Sequence, residues 1–353
     1  MITLCSPCVM RLKIPFIFLS LSFLTLLAFV ADVAWGSVSI PIGEVLDALL
    51  GKGEETTYSY LILHFRLPKA LTSLFAGAGI AVAGLMMQSL FRNPLADTSI
   101  LGINSGAGVG VGIYTMASAL FPGVLALGSG VNTWGIILAS CLGSLVVLLV
   151  ISAVASRVGD MVSVLIIGVM VGFLASSVIS ILQFFSHEET LKTYLIWSFG
   201  SVSTTTWRQL GFMLPVVAFA LLASLLMPKQ LNALNLGESY ARSLGVNILW
   251  VRYMLIGITS ILAGGITAFT GPIAFLGMAV PHFVRLLFRS SDHRLLLPAT
   301  MLVGSLLLLV CDLLTQAPGY QFVLPINALT SLLGAPVVIL VVLGRKRGKK
   351  TFS

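Results

Sequence analysis

Two uninterrupted apolar stretches decide the fold class: VVLLVISAV at Val146–Val154 and LVGSLLLLV at Leu302–Val310. Neither shows the strict alternation of polar and apolar residues that strands of a transmembrane barrel need. A bilayer accepts helices of about 20 apolar residues, because the backbone polar groups of a helix are satisfied internally. The two stretches therefore predict an all-α, polytopic membrane helical bundle.

The overall composition agrees with this fold class. Of the 353 residues, 58% are hydrophobic and only 9% are charged, whereas a soluble domain carries roughly 25% charged residues. The formal net charge of +8 would suggest a nucleic-acid partner in a soluble protein. In a membrane protein, Lys and Arg gather in cytoplasmic loops instead. We therefore interpret the charge as topology and expect the lipid bilayer, not nucleic acid, as the surroundings.

Apolar windows predict about ten spans within a single transmembrane domain that covers residues 1–353. The predicted spans are 14–35, 70–90, 104–121, 134–155, 162–184, 210–227, 251–270, 273–288, 296–314 and 326–344. The eighth is the weakest, because Pro272 and Pro281 interrupt it. It is expected to be a broken or shortened helix.

The distribution of basic residues predicts the orientation. With ten spans and both termini in the cytoplasm, fifteen of the 20 Lys and Arg residues fall inside. The outside receives Lys52, Arg66, Lys69, Lys192 and Arg208. This bias follows the positive-inside rule and predicts a multi-pass protein of the cytoplasmic (inner) membrane. Ile14–Val30 could be a cleaved signal peptide, but its long apolar body favours an uncleaved first span.

The longest cytoplasmic loop, residues 228–250, contains the sequence LGESYARSLG at Leu236–Gly245. This pattern is typical of a short amphipathic helix that ends at a glycine. The loop is too short for a folded domain, so the chain is expected to have no soluble domain of its own.

The sequence shows few residues that could carry out catalysis. It lacks the G-x-x-x-x-G-K-[ST] loop that cradles nucleotide phosphates, so the chain is not expected to hydrolyse ATP. The four histidines are scattered, and Cys5 and Cys8 form a lone C-x-x-C, so we expect no catalytic residue, metal site or bound cofactor. Asp32 and Asp312 lie near the ends of spans. The 34 glycines fit close helix packing or a path where helices slide or break.

Arg66-Leu67-Pro68-Lys69 and the stretch QSLFRNPLAD at Gln88–Asp97 resemble the FecCD-type permeases of ABC importers. These permeases carry iron-siderophores, haem or cobalamin. The resemblance continues through Leu101–Gly108, Gly271–Gly277, Pro281-His282, Asp292–Pro298 and Leu333–Pro336. It covers nearly the whole chain, with several motifs in the same order.

The resemblance implies the type II ABC importer permease fold and a homodimer of ten-span subunits. It also implies two cytoplasmic ATPase subunits that use ATP and Mg, together with an extracytoplasmic substrate-binding protein. The implied function is ATP-driven alternating access for a metal chelate, with a ferric siderophore as the commonest cargo of the family. Cobalamin and haem stay open as alternatives.

The resemblance also assigns roles to particular residues. Within the cytoplasmic coupling segment 228–250, it places Glu238, Ala241, Arg242, Leu244 and Gly245 in a groove of the ATPase. Arg66 and Lys69 would meet acidic residues of the binding protein, and such charge pairing steers docking. The alternative for the segment Glu238–Gly245 is an ordinary connecting helix. The alternative for Arg66 is an anchor at the membrane interface.

Further motif residues lie at turns: Asn93, Pro94, Asp97, Gly271, Pro272, Pro281 and His282. We expect Asn93 and Asp97 to satisfy backbone donors around the proline and to start the next helix. Pro281 and His282 belong to a polar cytoplasmic cluster with Arg285, Asp292, His293 and Arg294. That cluster is either a salt-bridged loop or a support for the ATPase.

Three residues depart from the family pattern: Gln316 where some relatives carry arginine, Val323 in place of glutamate, and Asn327 in place of glycine. All three are expected at the outer mouth, so they bear on docking. Two other classes of function would leave different signals in the sequence. A secondary transporter would need an acidic residue in mid-span, and a membrane enzyme or receptor would need a catalytic cluster or a soluble output domain.

Overall fold

The computed structural model describes residues 6–36, 40–49, 57–98, 102–120, 132–158, 161–316 and 324–349. In this part of the chain the regular elements are helices. They are α1 Ser6–Ala34, α2 Ile42–Leu49, α3 Thr57–Leu61, α4 Leu67–Leu90, α5 Ile103–Leu120, α6 Thr133–Arg157, α7 Met161–Phe184, α8 Glu188–Ser198, α9 Trp207–Leu225, α10 Pro228–Asn235, α11 Glu238–Ser243, α12 Ile248–Thr270, α13 Leu276–Phe288, α14 His293–Thr315 and α15 Ile326–Lys349.

Each of the ten predicted spans coincides with a helix: α1, α4, α5, α6, α7, α9, α12, α13, α14 and α15. Seven helical segments in the described ranges are long and apolar enough to cross a membrane. The other three predicted spans fall on α5, α13 and α15, and the last two contain the shorter apolar helices Leu276–Phe288 and Ile326–Ile339. The all-α membrane bundle is therefore confirmed.

The second span begins earlier than predicted. Its helical segment runs from Thr57 to Leu90 and includes a turn of π-helix at Ile62–Arg66. Pro68 lies at the start of α4, directly after this π-helical turn. The predicted start at residue 70 was wrong, because the charged residues before it lowered the apolar signal. Arg66 and Lys69 therefore lie in a helical segment and not in an external loop.

Helix α8 was not predicted. It starts with Glu188 and Glu189, whose charges suit the positive end of a helix, and it packs against α5. It lies in the connection between α7 and α9, between the predicted spans 162–184 and 210–227. With 11 residues and a polar first turn, α8 is too short and too polar to span a membrane.

The centre of the bundle is α4, which packs along α14, α12 and α13. Gly77 faces Gly304 on α14, and Gly84 faces Gly277 on α13; a side chain at either α4 position would overlap backbone atoms of its partner. Small residues of this kind let membrane helices approach closely. At these positions the glycines therefore serve helix packing, as one of the two interpretations predicted.

The eighth span is a shortened helix, as predicted. Residue Gly271, with φ 71°, ends α12, and Phe275, with φ 65°, precedes α13. Between them, the N–H of Ala274 donates to Asn327 Oδ1 at 3.1 Å. The 13 residues of α13 extend about 20 Å, less than the hydrocarbon thickness of about 30 Å. Asn327, one of the departures from the family pattern, therefore holds this break in place.

The spanning helices alternate in direction, which divides the connections between two ends of the bundle. One end carries α10 and α11 and is called the α11 end. The opposite end carries Trp35, the start of α4 and the end of α14, and is called the Trp35 end. Within the described residues, the helix order places the basic residues predicted to be cytoplasmic at the α11 end, together with the start of α1 and the end of α15. Which end faces the cytoplasm stays a prediction.

Candidate functional site

At the α11 end, α11 is a six-residue helix between two glycines with positive φ. Gly237 has φ 114° and Gly245 has φ 79°, backbone conformations that glycine adopts without steric cost. Glu238 opens the helix, where its negative charge complements the helix dipole. The predicted short helix that ends at a glycine is therefore confirmed.

The residues of α11 and its C-terminal end that were predicted to contact an ATPase differ in their exposure. Ala241 is fully buried against its own chain, so it supports the helix from inside. Arg242, Leu244 and Gly245 are exposed. Leu236, Tyr240 and Leu244, which are close in sequence, are 67%, 51% and 58% exposed, and we call these three side chains the α11 patch. Exposed apolar side chains that lie together outside the membrane spans are typical of an interaction surface.

Glu238 is paired within the chain. Its Oε1 atom accepts a hydrogen bond from Arg252 Nη2 at 2.7 Å, and both side chains are mostly buried. Arg252 belongs to the first turns of α12. The pair therefore fixes α11 to a spanning helix, which is a different role from the direct ATPase contact that the resemblance implied for Glu238.

We expect Arg252→Met to loosen α11 from α12, because a charge-assisted hydrogen bond contributes about 1.5–3 kcal/mol. Hydrogen–deuterium exchange of residues 237–245 should rise about tenfold or more, since 1.4 kcal/mol corresponds to a factor of ten. Arg242→Met is the matched control, since Arg242 is exposed on the same helix. Equal exchange in the two variants would contradict the role of the Glu238–Arg252 pair in fixing α11 to α12.

A second polar assembly joins α10 to α14 and α4. Asn232 Nδ2 donates to Asp292 Oδ1 at 2.7 Å, while Asn232 Oδ1 accepts from the backbone N–H of His293 at 2.9 Å. The same oxygen lies 2.8 Å from His293 Nδ1, and His293 Nε2 lies 2.7 Å from Ser89 Oγ. We call these four residues the Asn232 network. Because Asn232 Oδ1 can only accept, Nδ1 of His293 is the donor.

The Asn232 network also caps α14. Asp292 Oδ1 accepts from the backbone N–H of Arg294 at 3.0 Å, and this bond is the main reason that the pKa of Asp292 is lowered. A carboxylate at this position complements the helix dipole. Of the two interpretations of the polar cluster, a structural role therefore fits Asp292 and His293, although hydrogen bonds and not salt bridges hold them.

Residues of α4 and α13 complete the α11 end. Gln88 Nε2 donates to the carbonyl of Met278 at 3.2 Å, and Arg285 Nη1 donates to Gln88 Oε1. Pro281 is buried within α13, and His282 is half-buried beside it. These contacts anchor the shortened helix to the centre of the bundle.

The turn after α4 satisfies its own backbone, as predicted. Asn93 Oδ1 accepts from the N–H of Leu95 at 3.0 Å, and Asp97 Oδ1 accepts from the N–H of Thr98 at 2.8 Å. Pro94 lies inside this turn. However, α5 begins only at Ile103, so the prediction that these residues start the next helix was wrong. Asp97 is buried against Gly277 instead.

At the Trp35 end, three ionisable side chains from three helices meet inside the bundle. Lys69 Nζ lies 3.1 Å from Asp32 Oδ1 and 3.1 Å from Asp312 Oδ2. The three residues are 4%, 0% and 1% exposed. Ser73 Oγ also donates to Asp312 Oδ2 at 3.3 Å. We call Asp32, Lys69 and Asp312 the Lys69 triad; it joins α1, α4 and α14.

Arg66 is also buried, at 6% exposure. Its Nη1 atom donates to the carbonyls of Val33 at 3.1 Å and Ala34 at 2.6 Å. These carbonyls end α1, where helical partners are missing. The expectation that Arg66 and Lys69 lie in an external loop was therefore wrong, and both cations are engaged inside the chain. Their predicted docking role stays a prediction.

A cavity of about 200 Å³ adjoins these two cations at the Trp35 end. Its walls are Gly36, Leu61, Phe65, Arg66, Lys69, Ser203 and Gln316. Gln316, where some relatives carry arginine, thus lies beside Arg66 and Lys69. Val323 lies outside the described residues.

The members of these assemblies lie far apart in the chain, so their contacts could not be predicted from neighbouring residues. Asp32 and Asp312 were predicted only to lie near the ends of spans, and no role was predicted for Asn232 or Ser89. The available signal was the pairing of isolated charges in different spans, since such charges are costly unless they meet. In the described ranges, no three His, Cys, Asp or Glu side chains are placed to share a metal ion.

The helical bundle, its broken eighth span and the exposed helix α11 define a multi-pass membrane transport permease. Residues 24–344 match the FecCD transport family. The chain belongs to this family, a family of ABC transporter permeases.

Relatives and a solved structure agree with this membership. The haemin transport system permease protein HmuU of Yersinia pestis is 34% identical over 81% of this chain and 84% of its own length. The vitamin B12 import system permease protein BtuC of Klebsiella pneumoniae is 34% identical over 93% of both chains. A metal-chelate type ABC transporter in an inward-facing conformation has a TM-score of 0.81 at 28% identity, covering 94% of this chain and 99% of that chain.

Proposed function

We propose that this chain is the membrane-spanning subunit of a binding-protein-dependent ABC importer that moves a metal chelate into the cytoplasm by ATP-driven alternating access. The observation that carries the proposal is the α11 patch, held on a rigid support by the pair of Glu238 and Arg252. Two ATPase subunits would bind this patch at the α11 end, which we place in the cytoplasm together with both termini. ATP and Mg belong to those subunits.

The Trp35 end would receive the external binding protein. Its cavity presents Arg66 and Lys69 in the walls, and these two cations suit an acidic side chain of the partner. Arg66 suits such a contact through its planar, bidentate geometry. A second copy of the chain would complete the translocation path, as the resemblance to FecCD permeases implies.

A wrapped chelate fits the chemistry of the described residues better than a bare ion. The ionic contacts at membrane depth are internal pairs, such as those of Lys69, which leaves few charged ligands for an ion. We propose a ferric siderophore as the cargo. Haem and cobalamin are the alternatives, and the names of the two relatives give each of them direct support.

An ion-coupled secondary transporter is the second candidate function, because the Lys69 triad places two carboxylates at membrane depth. Both carboxylates share one ammonium group near the end of the bundle. Family membership favours the ABC importer. Uptake driven by a proton or sodium gradient without ATP would reverse this preference.

The test is uptake of radiolabelled ferric siderophore, haem and cobalamin into proteoliposomes that hold this chain with its ATPase and binding protein. We expect one ligand to accumulate only with ATP. Leu244→Asp should reduce this uptake at least tenfold, because it places a charge in the α11 patch. Lys229→Asp is the matched control, since it places an aspartate at another exposed position of the segment 228–250. Equal loss in both variants, or uptake without ATP, would refute the proposal.

A further inference from the structure

The Lys69 triad is expensive to maintain, and the proposed transport cycle does not explain it. Removing a charged group from water costs several kcal/mol, which a buried pair recovers only in good geometry. Neutral side chains of the same size would often be as stable. Ionisable residues inside membrane spans therefore point to a function.

Four buried ionisable side chains lie at the Trp35 end: the basic residues Lys69 and Arg66 and the acidic residues Asp32 and Asp312. Lys69 on α4 contacts carboxylates of α1 and α14. Arg66 binds the terminal carbonyls of α1, and Trp35 Nε1 donates to the carbonyl of Gln316 at 3.2 Å. The ends of three spanning helices are thus joined by a set of polar contacts.

These contacts lie beside an opening of the protein surface. Lys69 is at once a member of the triad and a wall of the 200 Å³ cavity, whose other polar walls are Arg66, Ser203 and Gln316. An acidic side chain that enters the cavity would therefore meet the side chain of Lys69, whose ammonium group holds Asp32 and Asp312. It would compete with these carboxylates for Lys69.

We propose that the Lys69 triad is a latch that holds the Trp35 ends of α1, α4 and α14 together, and that an acidic side chain of the external binding protein releases it by pairing with Lys69. The second half of this statement rests on the proposed function. Lys69 is thus a positioning residue whose charge sets how readily the Trp35 end opens. In the closed latch the ammonium group has two internal partners, and in the open latch one of them is replaced.

The latch can be tested on the chain alone in liposomes, independently of its partners. Trp35→Cys and Gln316→Cys, in a background with the four native cysteines replaced by alanine, report the distance between the ends of α1 and α14 through the rate of disulfide formation. The latch is removed by Lys69→Met, Asp32→Asn and Asp312→Asn together. This triple variant leaves no buried charge unpaired within the triad, so it should fold.

We expect disulfide formation in the triple variant to slow at least tenfold. An unchanged rate in a folded triple variant would overturn the latch. If the triple variant does not fold, Asp312→Asn alone decides, because it keeps the pair of Lys69 and Asp32 and removes only the link to α14. It should slow disulfide formation as well, and an unchanged rate would again overturn the proposal.

A second arm tests release with the binding protein. Adding it to the cysteine pair in the wild-type triad should slow disulfide formation, and it should have no further effect in the triple variant. If the binding protein changes the rate of disulfide formation in neither the wild-type triad nor the triple variant, the proposed release of the latch by docking is wrong. Slower disulfide formation in the triple variant alone would then still support the latch as an internal device. Failure of the importer assay therefore remains distinguishable from failure of the latch.

Discussion

Gly84→Ala should destabilise the bundle by about 1–3 kcal/mol, the usual cost of forcing extra volume into a packed interior. The loss is expected even though alanine is the better helix former by about 1 kcal/mol. A Cβ atom at Gly84 would overlap the backbone of Gly277, which cannot move aside as a flexible side chain can. Thermal unfolding in detergent, followed by circular dichroism, measures the effect.

Gly211→Ala is the control for this experiment. Gly211 lies in the spanning helix α9, is exposed, and has no atom within 4 Å of the position that a Cβ would take. This variant should unfold at the wild-type temperature or slightly above it. If Gly84→Ala were as stable as Gly211→Ala, α4 and α13 would not be in backbone contact, and the anchoring of the shortened helix would need another explanation.

His293→Ala should cost about 2–4 kcal/mol. The imidazole is fully buried, so its removal leaves a cavity. It also removes one of the two hydrogen bonds of Asn232 Oδ1 and one of the two of Ser89 Oγ, and each lost bond costs about 0.5–1.5 kcal/mol. The backbone N–H of residue 293 and the carbonyl of Leu85 stay as partners of these two atoms. The expected readouts are a lower unfolding temperature and faster proteolysis of the segment that contains α10.

His187→Ala provides the comparison, because His187 is exposed and its side chain makes no capping hydrogen bond to α8. It should change the unfolding temperature little. His293→Gln should recover part of the loss, since an amide can donate to one neighbour and accept from the other. Equal stability of His293→Ala and His187→Ala would show that the Asn232 network contributes nothing to the fold.

Most of the fold could be predicted from the sequence, because composition and apolar run length carry it. The ten spans, the shortened helix before Phe288 and the glycine end of α11 all follow from local patterns. The start of the second span could not be predicted in the same way. Arg66 and Lys69 interrupt the apolar pattern there, and only their buried partners in other helices make these charges compatible with the interior.

The candidate sites also differ in how far they could be predicted from local sequence. The exposed residues of α11 belong to one continuous stretch, so a motif could point to them. The Lys69 triad joins residues near both chain ends, and the Asn232 network joins three helices. No local pattern records such contacts. Asn327 shows the same limit: a departure from the family pattern at the sequence level is, in the fold, the acceptor for the N–H of Ala274.

Helix α4 carries members of both buried polar assemblies, Lys69 at one end and Ser89 at the other. The two residues are about 30 Å apart along the helix axis, given a rise of about 1.5 Å per residue. That distance equals the thickness of the hydrocarbon layer. Because a helix resists compression along its axis, α4 acts as a rigid rod with an anchor at each end of the bundle. Any axial displacement of this rod must strain both anchors at once, so the two ends should not move independently.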